Sequence, residues 1–576
     1  MKISIEKILE FKDLFPKEKD FEVKQILCKY NRFLIMRAIN CLGMNYGNAS
    51  VPDSQNPFFS DISHKRVNEI YSLLDVYLKN SNTEKVIFCT QRSILELMRI
   101  TFSMPIQDFQ NNGTEEDIEY DLFKIILNIN QQLMNFNSSN EIEDLSVLLF
   151  LTYYVLNDVT GIDWKESIQT QIYYIERLAD YLESNPQGIQ LKEVFLTKVG
   201  ISSFNEYIQT VFALVVLYVD EQNKNRRGCP VINLDTLQDV GFVHKQVCDY
   251  ISIDINSVIP YINENNKNRD NNVDFRIFRS HPLVKISESE YFIYNLPLLC
   301  ERLYNSMFFD LKEYWSNGDF FQFYNKTIVE HQIFQYTMLK CVGSKTSYFY
   351  PSKDEVYSTE DTPESPNQPD FFIRENNAII LFECKGIKIS GCLKDRADVD
   401  SLIQTIKNKL YLSTENYDIN RRKKSKDEYV GVTQLVNQIN LIEDDNFPWD
   451  PQIPDDVAYY PVLVLEDSKL SQIGLGGIIN SWYQPVIKKE LADTMSHPII
   501  VMSIDILFLY SDTFEKLGFQ AIFDSFFKNN IIYRTSDIDW QFNPIADFNT
   551  FMRETFEISP SKMKYGVSFL EKIKKH

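Results

Sequence analysis

The sequence predicts an α/β (α+β) protein of several domains, in which a mostly helical N-terminal domain precedes an α/β sandwich around a mixed sheet. Three observations carry this prediction. The chain has 576 residues, more than one hydrophobic core ordinarily serves. Apolar residues recur at helical spacing from the start to about Tyr261. After Leu296 the pattern follows the order helix, hairpin, helix, strand, helix, strand, which is typical of helices packed around a mixed sheet.

The composition is that of a folded soluble protein, with 44% hydrophobic and 24% charged residues. A net charge of −21 argues against a surface that is basic all over, so nucleic acid would have to meet a local positive channel. Nine cysteines without a paired C-x-x-C arrangement disfavour a zinc site and indicate reduced thiols in a cytoplasmic protein. The longest apolar stretches, Val211 to Val219 and Val147 to Leu156, fall short of the ~20 residues that span a bilayer. The N-terminus also lacks the apolar segment of a signal peptide, so we expect no membrane partner.

The first half is predicted to be helical. Apolar residues at helical spacing mark Val67 to Tyr77 and Ile94 to Phe102, and Leu145 to Leu156 and Phe204 to Val219 are expected to be central helices. The Asn-rich run from Asn263 to Asn272 is the best candidate for a domain boundary. We therefore divide the chain into a helical regulatory, sensor or assembly domain over 1–270, an α/β domain over 271–510, and a helical C-terminal extension over 511–576.

The segment from Gln368 to Gly386 predicts a β-hairpin. Its runs Phe371 to Arg374 and Ala378 to Cys384 are rich in β-branched and aromatic residues, and they flank Asn376-Asn377. Asparagine tolerates the positive φ that a tight turn requires. If the two asparagines form the turn, Glu375 pairs with Ala378, and the same register places Asp370 opposite Glu383.

This register brings two carboxylates and one ammonium group together. Directly opposed residues hold their Cβ atoms about 5 Å apart, and Lys385 points to the same face as Glu383. Cys384 points to the opposite face, where we expect a buried structural thiol. Two carboxylates at such a short distance repel each other unless a cation lies between them. Their hard oxygen atoms suit Mg²⁺ or Mn²⁺. A cross-strand ion pair on a solvated edge is the plainer interpretation, but the strand around Glu383 is apolar on both faces, which favours a covered strand.

Pro369-Asp370 and Glu383-Cys384-Lys385 resemble the two motif elements of the PD-(D/E)XK nuclease superfamily, whose fold is that of restriction endonucleases. The resemblance covers about Leu296 to Tyr510. It implies that Asp370, Glu383 and the backbone carbonyl of Cys384 bind Mg²⁺ or Mn²⁺. It also implies that Lys385 orients the attacking water or stabilises charge on the phosphate.

The resemblance assigns a further metal ligand to the helix before the hairpin. Phe320 to Cys341 predicts a strong helix with Glu330 near its middle. In the superfamily such a helix commonly contributes a glutamate to the metal site, and Glu330 fits that place best, with Glu313 as a weaker competitor. A surface glutamate beside His331 is the alternative.

A glutamine is expected on the helix after the hairpin. Tyr429 to Ile442 predicts a helix in which Gln434 and Gln438 lie one turn apart and on one face. Several branches of the superfamily place a glutamine here, and Gln434 is the expected catalytic residue. One branch has Gln-x-x-x-Tyr where this chain has Gln-x-x-x-Gln, and an amide pair on a solvated helix is the alternative.

The stretch over 386–428 is predicted to be a basic insertion that contacts nucleic acid. Eleven Lys and Arg against five Asp and Glu lie between Lys385 and Lys426, and phosphate is the natural counterpart of such a cluster beside a metal site. A solvated charged loop is the alternative. The expected nucleic-acid contacts are Lys407, Lys409, Arg421, Arg422, Lys423, Lys424, Lys426 and Gln438.

These expectations combine into a metal-dependent endonuclease that hydrolyses DNA phosphodiester bonds. By resemblance alone, a large acidic protein with a helical half before such a nuclease is expected in bacterial restriction or anti-phage defence. The alternatives are an inactive nucleic-acid-binding or regulatory protein on the same fold, and a nuclease directed at RNA. Many relatives act as dimers, so a homodimer or a partner protein of a defence system is compatible with the resemblance.

Overall fold

The computed structural model describes residues 6–45, 64–81, 85–133, 144–157, 164–224, 231–236, 243–257, 275–357, 368–389, 393, 399–413, 417–418, 423–424, 428–491, 494–533 and 540–573. Within these ranges the protein is mixed α/β, mainly helical, with several small sheets. The predicted fold class is therefore confirmed at the level of a mixed α/β protein.

The strands are, in chain order, β1 Glu6–Ile8, β2 Lys85–Ile87, β3 Val231–Asn233, β4 Ser252–Asp254, β5 Leu283–Lys285, β6 Glu290–Ile293, β7 Tyr348–Tyr350, β8 Phe371–Glu375, β9 Ala378–Lys385, β10 Leu412–Ser413, β11 Tyr417–Asp418, β12 Lys423–Lys424, β13 Glu428–Tyr429, β14 Ala458–Leu465, β15 Ile500–Ser503, β16 Ile531–Tyr533 and β17 Trp540–Phe542.

The helices are α1 Phe11–Leu14, α2 Val23–Leu27, α3 Arg32–Asn45, α4 His64–Asn80, α5 Gln91–Ser103, α6 Glu115–Leu133, α7 Leu145–Leu151, α8 Trp164–Ser184, α9 Pro186–Val199, α10 Phe204–Lys224, α11 Lys245–Tyr250, α12 Arg276–Ser280, α13 Leu296–Glu301, α14 Met307–Lys312, α15 Phe320–Phe323, α16 Tyr336–Cys341, α17 Lys353–Tyr357, α18 Val399–Leu410, α19 Val432–Glu443, α20 Leu475–Glu490, α21 Ile504–Leu509, α22 Ser511–Leu517, α23 Phe519–Asn530, α24 Phe548–Thr555, α25 Pro560–Met563 and α26 Tyr565–Ile573. A π-helix over Thr152–Asn157 continues α7, and a short 3₁₀ turn covers Ile106–Asp108.

A five-stranded mixed sheet in the order β15-β14-β9-β8-β7 holds the predicted hairpin at its centre. β7, β8 and β9 run antiparallel, whereas β9, β14 and β15 run parallel. Every residue of β9 before Lys385 is buried. The near-continuous apolar run of this strand is what a strand covered on both faces requires.

Helices cover both faces of this sheet. On the face of Phe382, Phe334 and the Phe519 ring of α23 pack at ring distances of 6.4 and 5.2 Å. On the opposite face α19 packs against β9 and β14, and α20 packs beside α19 and against β15. The hairpin therefore lies between two helical layers.

The predicted helix over Phe320 to Cys341 is confirmed as a continuous helical stretch, but its middle is a π-helix and not an α-helix. Between α15 and α16 the chain forms a π-helix over Tyr324–Gln335, which contains Glu330. Stretches of π-helix are rare and often occur at functional sites. Helix α8 of the N-terminal half packs directly against this segment.

The four-stranded sheet β3-β6-β5-β4 joins the two buried cores of the described chain. Tyr291 and Ile293 of β6 belong to the core that also holds the hairpin, whereas Phe292 between them belongs to a core built mainly from residues 9–129. Alternate residues of a strand point to opposite faces, so one sheet serves both cores. Because β3 and β4 precede the expected boundary at 270 and β5 and β6 follow it, this sheet spans that boundary.

Helices from outside the predicted α/β domain share its core. The described helices α8 to α10 and α22 to α24 contribute to the same buried cluster as β8 and β9. The Tyr174 hydroxyl of α8 donates a hydrogen bond to Asp505 of α21, and the Tyr565 hydroxyl of α26 donates one to Glu176. The described residues of 511–573 thus contribute to this core, and they contain the paired strands β16 and β17 as well as helices.

Two expected elements differ from the structure. The sequence pattern predicts one strand over Ile499 to Leu507, but only β15 is strand and the chain then forms α21. The pattern also predicts one helix from Leu296 to about Asp310, where the structure has the two helices α13 and α14. A fully apolar run does not reveal by periodicity whether it is strand or buried helix.

No single helix in the described ranges is long and apolar enough to cross a membrane. The helices Pro186–Val199 and Phe204–Asp220 meet the length and composition criteria only when taken together, and they are bent by 55° relative to each other.

Glu375 ties the closed end of the hairpin to α23. Its carboxylate is buried and accepts the backbone N–H groups of Phe519 at 3.1 Å and Gln520 at 2.9 Å. A carboxylate at a helix N-terminus satisfies free N–H groups and complements the helix dipole. Gly518, immediately before α23, has a φ of +82° and no side chain to obstruct Glu375.

We expect Glu375→Ala to lower the free energy of unfolding by about 1.5–3 kcal/mol, because two buried N–H groups lose a charged acceptor. Glu375→Gln should lose less, since an amide oxygen still accepts one bond. The measurement is urea-induced unfolding. The exposed Glu554→Ala serves as a control that should stay within about 0.5 kcal/mol of the parent; a Glu375→Ala value as small as this control would contradict the anchoring role.

The burial of the Asp505 carboxyl group makes stability depend on pH. Burial raises the pKa of Asp505 to about 6, against the opposing hydrogen bond from Tyr174. A carboxyl group whose pKa is higher when folded than its unfolded value of about 3.9 stabilises the protein fully below that value, and this stabilisation is lost as pH rises through about 6.

Asp505→Asn, which does not ionise, should therefore gain stability relative to the parent as pH rises. The expected gain between pH 4 and pH 7.5 is about 2–3 kcal/mol, since one pKa unit corresponds to about 1.4 kcal/mol. Urea unfolding of both proteins at the two pH values measures it. A difference between variant and parent that stays constant with pH would contradict the assignment.

Candidate active site

The hairpin has the register that the two asparagines predict. Asn376 has a φ of +52°, Glu375 pairs with Ala378, and the ladder continues to Phe371 opposite Phe382. The next residues outward are Asp370 and Glu383, on the face of the sheet covered by α19. The predicted register is confirmed.

Asp370, Glu383 and Lys385 meet at the open end of the hairpin. The Lys385 Nζ lies 2.9 Å from Glu383 Oε2 and 3.8 Å from Asp370 Oδ2. The Cys384 backbone N–H donates to Asp370 Oδ2 at 2.7 Å. In this structure the positive charge between the two carboxylates is the Lys385 ammonium group.

Gln438 is the amide that contacts this cluster, and Gln434 is not. Gln438 is fully buried, and its Nε2 donates to Glu383 Oε1. Gln434 instead turns back to the start of α19, where its Oε1 accepts the N–H of Gly431 at 2.8 Å. The amide that contacts the acidic pair is therefore Gln438 and not Gln434, the expected catalytic residue. The burial of Gln438 disfavours the expected contact of its side chain with nucleic acid, which stays a prediction.

The pattern of α19 explains why Gln438 is inside. Leu435, Gln438 and Ile442 recur at three- and four-residue spacing and are all buried, so Gln438 shares the apolar stripe of its helix. Gln434 lies at the third position of the helix, where a glutamine side chain can reach back to an N-cap N–H. This spacing in the sequence would have identified Gln438 as the inward residue.

The site is partly open to solvent. Glu383 is fully buried, whereas the side chains of Asp370 and Lys385 are 19% and 18% exposed. Burial and the Glu383 carboxylate raise the pKa of Asp370 well above its ordinary value. Burial lowers the pKa of Lys385, but the surrounding carboxylates outweigh it and raise that pKa above its ordinary value, so Lys385 stays charged.

Glu330 lies on the π-helix, and its charge acts on the same cluster. Its negative charge contributes to the raised pKa of both Asp370 and Lys385. On the same segment, the Gln335 amide donates to the Asp370 backbone carbonyl at 3.2 Å. Glu313, the weaker competitor, is exposed and directly follows α14.

Cys384 is a buried thiol, as expected. It is fully buried with no disulfide partner, and burial raises the pKa of its thiol well above the ordinary value. Gly386, two residues later, lies against Asn325 of the π-helix, where a Cβ atom would clash with the Asn325 side chain. This close approach keeps the helix that carries Glu330 against the end of β9.

The donor set fits a hard divalent cation bound together with its substrate. Within the described part of the chain, no three His, Cys, Asp or Glu side chains converge to hold a metal ion by themselves. Mg²⁺ is commonly held by only one or two carboxylates, with water and substrate phosphate completing its shell. Gln438 Oε1 is also buried and has no hydrogen-bond partner among the described residues, which adds a hard oxygen beside the pair.

A second ion pair, missed in the sequence, adjoins the site. Lys388 Nζ lies 2.6 Å from Glu466 Oε2, and the Glu466 N–H donates to the Lys385 carbonyl. Glu466 directly follows β14, the parallel neighbour of β9. An acid immediately after an apolar strand is the sequence signal for a group at the carboxyl end of a parallel strand.

The basic residues are only partly described. Lys407 and Lys409 lie on α18 with partly exposed side chains, and Lys423 and Lys424 form β12. Arg421, Arg422 and Lys426 lie outside the described residues. Whether the predicted nucleic-acid contacts form stays a prediction.

Comparisons with protein-family models, with curated proteins and with solved structures found no match to this chain. The residues and their geometry therefore carry the functional argument.

We expect Gln438→Ala to cost about 1–3 kcal/mol of unfolding free energy, because it removes the donor to a buried carboxylate oxygen. Gln434→Ala removes one bond at the start of α19 and should cost ~0.5–1 kcal/mol. Urea unfolding of the two variants side by side makes the comparison. An equal or larger loss in Gln434→Ala would show that the amide at 438 does not support Glu383.

Proposed function

We propose that this protein is a divalent-metal-dependent nuclease that hydrolyses DNA phosphodiester bonds. One observation carries the proposal: Asp370, Glu383 and Lys385 meet on one face of a hairpin, with the Lys385 ammonium 2.9 and 3.8 Å from the two carboxylates. The burial of Glu383 supports it, because structural ion pairs seldom place a carboxylate in the middle of a sheet covered on both faces.

The architecture around the hairpin supports a fold like that of restriction endonucleases. Two antiparallel pairs, β7–β8 and β8–β9, are followed by the parallel pairs β9–β14 and β14–β15. Helices cover both faces, and a helix before the hairpin carries Glu330. This agrees with the resemblance to the PD-(D/E)XK superfamily that the motif residues suggest.

Asp370 and Glu383 would hold Mg²⁺ or Mn²⁺, with the backbone carbonyl of Cys384 and with Glu330 facing the same region. When bound, the ion would polarise the scissile phosphate and lower the pKa of a bound water. Lys385 is charged and partly exposed, so it is placed to stabilise negative charge on the phosphate. Gln438 holds Glu383 by a hydrogen bond and so fixes one metal ligand.

Residues outside the cluster support a nucleic-acid substrate. The basic stretch over 386–428 follows the hairpin directly, in a chain of net charge −21. A positive segment beside a phosphate-cleaving site in an acidic protein favours local rather than general binding of DNA. A role in restriction or anti-phage defence, with the helical half as sensor or assembly unit, is part of the proposal.

One observation favours a second candidate, a nucleic-acid-binding protein that does not cut. The Lys385 ammonium already offsets part of the negative charge of the carboxylate pair, and the described residues contain no metal site of three acidic, histidine or cysteine ligands. Isothermal titration calorimetry with Mg²⁺ distinguishes the nuclease from the protein that does not cut. In the latter, we expect no Mg²⁺ binding that depends on Asp370 and Glu383.

Incubation with supercoiled plasmid in Mg²⁺, and separately in EDTA, tests the proposal. We expect cleavage only with the metal, and a loss of at least about 100-fold in Asp370→Asn, Glu383→Gln and Lys385→Met, because each removes a group that acts on the phosphate or its metal. Binding of the plasmid should persist, and thermal melting should confirm that the variants fold.

Asp354 and Lys353 are adjacent exposed residues of α17. The variants Asp354→Asn and Lys353→Met change the charge in the same way as the site variants and serve as controls that should cut at the parent rate. Cleavage by the three site variants at the parent rate would exclude this site. Linear duplex, single-stranded DNA and RNA of equal length define the substrate.

A further inference from the structure

A cluster of two aromatic rings and one lysine lies at the start of α19. The Tyr411 and Trp482 rings have centroids 5.9 Å apart at an angle of 53°. The Lys407 Nζ lies 5.5 Å from the Tyr411 centroid and 5.8 Å from that of Trp482. We call these three residues the aromatic platform; all three side chains are partly exposed.

The aromatic platform is held rigidly next to the helix that serves the proposed active site. The Tyr411 carbonyl accepts the Thr433 hydroxyl at 2.7 Å, and Gly431 lies so close to the Leu410 carbonyl that a Cβ atom there would clash. Gln438, which contacts Glu383, comes five residues after Thr433. At about 1.5 Å per residue, Thr433 and Gln438 are separated by roughly 7.5 Å along the axis of α19.

The helix that carries Trp482 has exposed lysines toward its end. Pro485, Lys488 and Lys489 are exposed on α20, and the Lys489 side chain is 81% exposed, with Glu490 at 3.8 Å as its ion-pair partner. β10 begins directly after Tyr411 and pairs with β13, and the basic residues Lys423 and Lys424 lie between these two strands in the sequence. Lysine side chains and partly exposed aromatic rings thus occur together here, in a protein of net negative charge.

This combination of groups is the one that recognises unpaired nucleotides. Aromatic faces stack on any base, and neighbouring lysines neutralise the phosphates. A double helix hides its base faces, so only a single-stranded segment can use the rings. A cation over two rings could instead serve only to pack α18 against α20, and the experiment below separates these roles.

We propose that the aromatic platform binds single-stranded DNA, stacking an unpaired base on Trp482 and Tyr411 while Lys407 contacts its phosphate. The inference rests on the proposed nuclease function and deepens it: the preferred substrate is DNA with a single-stranded segment, fed past α19 to Asp370 and Glu383.

The test measures binding of a fluorescein-labelled oligothymidylate of about 16 nucleotides, the upper site size of single-strand binders. Fluorescence polarisation is recorded with the full chain in EDTA, so that cleavage does not interfere. We expect Trp482→Ala to weaken binding about tenfold, the loss expected for one base stack, and Trp482→Phe to retain most of the affinity. Lys407→Gln should lower the slope of log K against log salt by about 0.7, as for one phosphate contact on a single strand, whereas Trp482→Ala should leave the slope unchanged.

Trp449→Phe and Trp449→Ala are the matched controls. Trp449 is also partly exposed and packs with Tyr350 of β7, at the opposite edge of the five-stranded sheet from α20. Both variants should bind as the parent does. Thermal melting of all variants shows whether they fold.

Indole emission gives a second measure that does not depend on affinity. Stacking on Trp482 should quench part of the emission of the parent, and this part should be missing in Trp482→Phe although the oligonucleotide still binds. Equal quenching in parent and Trp482→Phe would overturn the stack on Trp482.

The remaining outcomes test the aromatic platform and the nuclease function separately. Parent-like binding by Trp482→Ala, or equal losses in folded Trp482→Ala and Trp482→Phe, would overturn the aromatic platform. Duplex DNA or oligouridylate bound more tightly than oligothymidylate would overturn its assignment to single-stranded DNA. If Trp482→Ala weakens binding but the parent cuts no plasmid in Mg²⁺, the platform stands and the nuclease function falls.

Discussion

The burial of the Glu383 carboxylate in the middle of a covered sheet is the constraint on which the rest of the site depends. An ionised carboxylate there is stable only if other groups replace the water it has lost. Lys385 supplies the charge at 2.9 Å, and Gln438 supplies a hydrogen bond from α19. Each partner is fixed by a different element, so strand register and helix packing must both be right for Glu383 to be inside.

The hairpin uses carboxylates at both of its ends, for different purposes. At the closed end Glu375 accepts two N–H groups of α23 and is fully satisfied by backbone donors. At the open end Asp370 and Glu383 share one ammonium group, and Glu330 adds negative charge nearby. The closed end is therefore a structural anchor, whereas the open end has an excess of negative charge that a divalent cation would relieve.

The helical N-terminal half is part of the same packed body as this hairpin. Helix α8 lies against the π-helix that carries Glu330 and is bonded to Asp505 after β15. The four-stranded sheet places one face in each of the two cores. Helix α8 of the N-terminal half therefore packs against the segment that carries Glu330.

The sequence by itself determined the hairpin, its register and the meeting of Asp370, Glu383 and Lys385, because a tight turn and a two-residue repeat are local rules that fix every opposed pair. It also located the helices α4, α5, α10 and α19, whose apolar spacing is equally local. Only the tertiary structure decided that Gln438 rather than Gln434 touches Glu383, that Ile504–Leu509 is helix, and that strands on both sides of residue 270 share a sheet. These outcomes depend on which face of an element meets which neighbour, and that choice is made by the packing of residues far apart in the chain.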